Sequence, residues 1–176
     1  MKWLSSFTVL VVLFSACSPS IEERRDSLDK LFQQLADANT GRLNEEAAKT
    51  YLSAAQILAK DYPTDTSAAL PYYKAAEVAR ALGQSKTALE IYQQVIEQYP
   101  GFHKVPEARF MLAFTYDEDL NDLTSAKAAY EQFIQLHPEH TFADDAEMLL
   151  RNLGKSDEEI LRELEAMQAQ AAEPES

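Results

Sequence analysis

Three groups of residues in this chain could do chemistry. His137 and His140 enclose the stretch His137-Pro138-Glu139-His140, with Asp144 and Asp145 just beyond, and imidazoles beside carboxylates are the raw material of a zinc site. Asp117, Asp119 and Asn121 alternate like the first ligands of a calcium loop. In such a loop, however, Asp122 stands where the sharp turn needs glycine, and Ala128 where a bidentate glutamate should close the site. The third candidate is Cys17, the only thiol, so a disulfide within the chain is impossible. No phosphate-cradling glycine loop, dinucleotide fingerprint, HExxH pair or Ser-His-Asp order is present. Paired carboxylates at helical spacing are what an acidic helical chain produces by chance. The expectation is a protein without catalytic residues and without a cofactor.

The leader decides what Cys17 is for. Met1 to Cys17 reads MKWLSSFTVLVVLFSAC, with one positive charge at Lys2, an apolar run ending at Phe14, and Ser15-Ala16 before the thiol. That is the layout of a secretory signal. The run from Trp3 to Ala16 spans 14 residues, against roughly 20 for a membrane-spanning helix, so a permanent transmembrane helix is not expected. Ser15-Ala16-Cys17 resembles the lipobox of bacterial lipoproteins, with Phe14 where that family usually has an aliphatic residue. The resemblance implies cleavage before Cys17 and acylation of the new N-terminal cysteine, with palmitate-type chains numerous enough for stable anchoring. Ser18, where an aspartate would favour inner-membrane retention, implies delivery to the outer membrane on the same grounds. Residues 1–16 are thus expected to be a signal peptide and residues 17–20 a lipid-anchored tether.

Behind the tether the sequence repeats. Lys60-Asp61-Tyr62-Pro63, Glu97-Gln98-Tyr99-Pro100 and Gln135-Leu136-His137-Pro138 place their prolines 37 and 38 residues apart, and Pro71, Ala108 and Ala146 follow eight residues after each. A period of this length indicates stacked helical hairpins, each burying its apolar face on its neighbour. Tyr72, Ala75, Ala76, Ala79 and Gly83, followed by Ala88, Tyr92, Val95 and Pro100, resemble the tetratricopeptide pattern. So do Ala108, Leu112, Ala113, Tyr116, Ala126, Tyr130, Phe133 and Pro138. Alanines sit where antiparallel helices cross closely, aromatics fill the adjacent holes, and proline stops the second helix. The later unit departs in three ways: Arg109 replaces Tyr72, no glycine ends its first helix, and its loop near residues 120–123 is one residue longer. In this register His137 takes the slot of Tyr62 and Tyr99, so packing explains it and no metal is expected.

Apolar spacing of 3.6 residues predicts helices over 21–38, 43–61, 67–82, 85–98, 104–119, 123–136 and 142–153. A last one starts at Ser156, whose spacing to Glu159 makes a capping box; its Ile160, Leu164 and Met167 are expected to seal the end of the stack. Four glycines and 46% hydrophobic residues agree with an all-α chain. The expected architecture is an all-α, tetratricopeptide-type solenoid of about three hairpins plus C-terminal capping helices over residues 21–172, with residues 173–176 a disordered tail and fraying from Gln168 onward. The formal charge of −13 repels phosphate backbones, and the one basic pair, Arg24-Arg25, is flanked by Glu22-Glu23 and Asp26. Nucleic acid is therefore not an expected partner.

Tyr99-Pro100 followed by Ala108, and the stretch AKAAYEQFIQLHPEH over residues 126–140, resemble the BamD-like group of outer-membrane lipoproteins. That resemblance implies an interaction scaffold in outer-membrane protein assembly, facing the periplasm, with envelope proteins or peptide segments as partners. An envelope or cell-division coordinator is an alternative, as is a surface lipoprotein that binds a solute or glycan. The last would stack sugars on exposed tryptophan, yet the only one is Trp3, in the leader. Stacked hairpins bind on the concave side lined by their first helices. Projecting the register assigns that side Tyr73, Glu77, Arg80, Phe110, Phe114 and Asp117, extended by Asp145 and Met148, at positions where the repeat does not require burial.

Overall fold

The computed structural model describes residues 19–37 and 40–172; Cys17, the leader and residues 173–176 lie outside the described residues, as does Asn39 of the first turn. Among the described residues the chain is helical, apart from one antiparallel bridge between Ala36 and Leu43. The helices are α1 (Ile21–Gln33), α2 (Glu45–Asp61), α3 (Ala69–Ala81), α4 (Ser85–Gln98), α5 (Val105–Phe114), α6 (Leu123–Leu136), α7 (Ala143–Asn152) and α8 (Asp157–Ala172). The starts of α1, α2, α6 and α8 are written in capping residues. Ser20 and Glu23 bond each other's backbone N–H reciprocally, Asn44 accepts from Ala47 N–H, Asp122 from Ser125 N–H, and Ser156 forms the expected box with Glu159.

The repeat shows itself in backbone angles. Tyr62, Tyr99 and His137 end α2, α4 and α6 at φ of −129°, −123° and −137° with ψ of 60°, 55° and 51°. Each precedes a proline, whose ring disfavours the helical conformation in the residue before it. Each first helix is instead turned by a left-handed residue. Gly83 does this after α3 at φ 70°, and Asn121 does it after α5 at φ 51°, asparagine being the side chain that best tolerates that region. Asn121 thus fills the role of the glycine missing from the later repeat.

The extra residue of that repeat is absorbed upstream of the turn. The α-helix expected over 104–119 stops at Phe114 and continues as a π-helical turn over Thr115–Asp119. One residue inserted into a helix that must keep its contacts on both sides is accommodated by a wider turn. Thr115 is buried there, its hydroxyl donating to Met111 carbonyl at 2.7 Å. The first helix also differs from expectation: α1 ends at Gln33 rather than 38, because Leu35 and Asp37 pair with Asn44 and Arg42 across the turn at 2.7 Å each.

Helices adjacent in sequence pack side by side from α1 to α7, and α1 also touches α3. Ala48, Ala55, Ala75, Ala76, Ala79, Ala88, Ala108, Ala113, Ala126 and Ala146 are fully buried at the crossings, where a larger side chain would force the helices apart. Tyr51, Tyr92, Tyr99, Tyr130 and Phe133 are buried beside them. Two apolar clusters result, one over the first two hairpins and the start of α5 and one over the rest of α5 to α7, and Met111 packs against both.

The expected C-terminal seal is not made. Helix α7 packs on α6, but α8 does not pack back along α7: of the residues expected to make the seal, Ile160 is half-buried while Leu164 and Met167 are 49% and 61% exposed. Counting from the turn residue explains this. Ala88 and Tyr92 lie five and nine residues after Gly83, and Ala126 and Tyr130 lie equally far after Asn121. The same steps from Gly154 reach Glu159 and Glu163. A carboxylate pair in slots that bury alanine and tyrosine would be desolvated without partners. Nor does α8 fray at Gln168; its backbone continues helical to Ala172.

Candidate functional site

The residues assigned to the concave side divide into two columns. Tyr73 and Phe110 are 6% and 8% exposed and belong to the core, correcting the expectation that they line an open groove. The reason is repeated in both hairpins: Tyr73 packs on Tyr92 at 5.8 Å between ring centres, and Phe110 on Tyr130 at 6.2 Å. Phe110 also meets Phe133 and Phe142 of the α6–α7 region, not α8. Met148 stands in the next position of this column, and it is 50% exposed because no second helix covers it. Asp145 is exposed on the first turn of α7.

The second column faces solvent. Glu77 is exposed, Arg80 and Phe114 are half-buried, and the Arg80 guanidinium lies over the Phe114 ring at 5.0 Å. Arg80 reaches across the hairpins to Asp119, Nε at 2.6 Å from Oδ2 and Nη2 at 3.0 Å from Oδ1. Asp119 is brought there by the π-helical turn. The same turn directs Asp117 inward, where it accepts the Tyr130 hydroxyl at 3.3 Å, and burial raises its carboxyl above the usual range against that bond. The calcium-loop candidates Asp117 and Asp119 are thereby committed to Tyr130 and Arg80.

Sequence reasoning missed several neighbours of this face. Lys74 lies over Phe32 at 4.3 Å and pairs with Asp29 at 3.6 Å, while Lys104 lies 5.8 Å from the Tyr73 ring centre and 3.3 Å from Glu107 Oε1. The signal available was the three-residue step Lys74, Glu77, Arg80. Glu77 combines exposure with crowding: desolvation pushes its carboxyl above the usual range, opposed by the Tyr73 hydroxyl and by Lys104, Lys74 and Arg80.

The histidines are placed by packing. His137 rests on Phe133 with ring centres 5.6 Å apart, and burial, followed by Arg109 and His140, lowers its basicity. Its Nε2 is buried without a hydrogen bond. His140 Nδ1 accepts Phe142 N–H at 3.2 Å, which leaves Nε2 to carry the proton, 3.8 Å from Glu107 Oε2. Among the described residues no group of three His, Cys, Asp or Glu side chains is arranged to hold a metal ion, and no helix is long and apolar enough to cross a membrane.

Two hairpins with alanine crossings, a proline stop and buried tyrosines invite one comparison. Residues 72–101 and 107–140 each match the tetratricopeptide repeat family. A search of curated proteins gives no match. The two tetratricopeptide matches cover α3 with α4 and α5 with α6, the hairpins that carry Glu77, Arg80, Phe114 and Asp117. The fold is a tetratricopeptide-type solenoid, and such repeats act as scaffolds for protein–protein interaction. The hairpin of α1 and α2 packs in the same manner without such a match, consistent with Tyr51 and Ala55 in the slots of Ala88 and Tyr92.

Proposed function

We propose that this chain is an outer-membrane-anchored scaffold of the bacterial cell envelope, held by a lipid on Cys17, facing the periplasm and serving outer-membrane protein assembly. Its partners are envelope proteins or their peptide segments, taken up on the concave face of α3 and α5. The observation that carries the binding half is the uncovered face around Glu77, beside Arg80 and Phe114, on the first-helix side of the two matched hairpins. Tyr73 and Phe110 support this face from below, and Met148 and Asp145 extend its exposed surface. The anchoring half rests on the leader and the lone thiol of the sequence, and the assembly role on the likeness to BamD-like proteins.

Mass spectrometry of the mature N-terminus, with fractionation of the Cys17→Ser variant, tests the anchor. Acylated Cys17 in the outer-membrane fraction supports it; an N-terminus elsewhere, or an intact leader, contradicts it. Cross-linking in living cells from a photoreactive aromatic at position 114 tests the face, and adducts with outer-membrane assembly proteins are expected. Adducts confined to cell-division proteins would replace the assembly role with the coordinator role.

A further inference from the structure

Among the described residues Glu77 is the one charged group of the Lys74, Glu77, Arg80 step that makes no direct ion pair. The cations that act on it are each occupied elsewhere: Lys74 by Asp29 at 3.6 Å, Arg80 by Asp119 through two bonds, and Lys104 by Glu107 at 3.3 Å. A partner lying along α3 and α5 must cover this carboxylate, which cations already bonded to other carboxylates compensate only in part, and covering an under-compensated carboxylate is unfavourable. A neutral or acidic segment would therefore be rejected at this point. A segment that brings its own cation gains an ion pair where its competitors leave a charge stranded.

The surroundings define the rest of the segment. Met111 and Phe114 of α5 are half-buried, presenting apolar surface beside Glu77's column, and the Arg80 guanidinium is fixed over Phe114. Those contacts suit aliphatic or aromatic side chains next to the cation. Resting on the reading of the concave face as the binding surface, we propose that Glu77 receives a lysine or arginine side chain of the partner segment, flanked by apolar residues that settle on Met111 and Phe114. Arg80, locked to Asp119, holds the platform and leaves Glu77 open. The desolvation that raises the Glu77 carboxyl agrees with this role, since an incoming cation would offset its cost to the ionised form.

The test uses the full mature chain and three synthetic amphipathic peptides of one length, with leucine on the apolar face and lysine, glutamine or glutamate on the polar face. The overall negative charge attracts any cation, so Glu90→Gln on α4, an exposed site with the same change of charge, serves as control. The lysine peptide should bind the unmodified chain best. Glu77→Gln should weaken it by about tenfold or more, and Glu90→Gln by less than about twofold. An unchanged melting temperature for Glu77→Gln shows that the fold is intact. Equal losses in the two variants, no loss in Glu77→Gln, or equal affinity for the glutamate peptide would overturn the assignment, as would absence of lysine-peptide binding. Cross-linking from position 114 separates this failure from that of the broader reading: partner adducts that persist unchanged in Glu77→Gln would keep the face and remove only the role of Glu77.

Discussion

Asp119→Asn should loosen the joint between the second and third hairpins by an amount that follows from its contacts. The Asp119 carboxylate receives two bonds from the Arg80 guanidinium, at 2.6 and 3.0 Å, and the two side chains are 23% and 19% exposed. Exposed pairs contribute at most about 1 kcal/mol, while breaking a buried pair costs roughly 3–5 kcal/mol. A two-pronged pair of intermediate burial belongs between these limits, at roughly 1–2 kcal/mol of coupling. Arg80 also lies 5.0 Å from the centre of the Phe114 ring, a contact of about 0.5–1 kcal/mol that Asp119→Asn retains and Arg80→Met removes. For a domain of this size each kcal/mol moves Tm by roughly 2–4 °C. Urea unfolding of Asp119→Asn, Arg80→Met and the double variant isolates the coupling. A value below about 0.3 kcal/mol, within the usual error of additivity, would refute the claim that the Arg80–Asp119 pair helps hold the second and third hairpins together.

Phe110→Ala should lose roughly 3–5 kcal/mol in urea unfolding, as expected for a buried aromatic, whereas Met148→Ala should stay within about 0.5 kcal/mol because its slot is open; equal effects would contradict the division into a filled and an unfilled end. Removing residues 157–176 should shift Tm by no more than roughly 2 °C, since α8 is not packed on the stack, and a larger fall in calorimetry would show that α8 caps it after all. Carboxyl titration by NMR should order the groups by environment: Asp65, Asp122 and Glu159 lie below the usual range through their bonds to Ser67, Ser125 and Ser156, and Glu77 and Asp117 lie above it through desolvation. For the first three, stability is present above the unfolded-state value and is lost as pH falls through the lowered folded-state value. For Glu77 and Asp117 the sign is opposite, their ionisation opposing folding as pH rises through the raised value. An inverted order of midpoints would contradict these environments.

Much of this was legible from residue types. The stretches 85–98 and 123–136 form helices with those same limits because a turn residue and proline bracket each one, and the alanine and tyrosine slots were visible in register. The π-helical turn was foreshadowed only as a surplus residue near 120–123. Helical periodicity over five residues cannot place an insertion that the buried Thr115 and the contacts on either side decide. The exposed face was half legible. Charge at Glu77 and Arg80 marked it, but aromatic side chains such as Tyr73 and Phe110 suit a groove or a core equally, and only their contacts with Tyr92 and Tyr130 show that they belong to the core. For α8 the apolar pattern revealed a sticky side without its partner; the glutamates counted from Gly154 were the overlooked signal.

The central claim, that the concave face of α3 and α5 is the partner-binding surface, is tested most directly by site-specific photo-cross-linking in intact cells from Phe114, with Glu97 of α4 as the comparison position. Glu97 is exposed on a second helix and accepts a hydrogen bond from Gln93 of its own helix. The account predicts strong, discrete partner adducts from position 114 and none above background from position 97. Adducts from position 97 with none from position 114 would contradict it and move the binding surface to the outer helices.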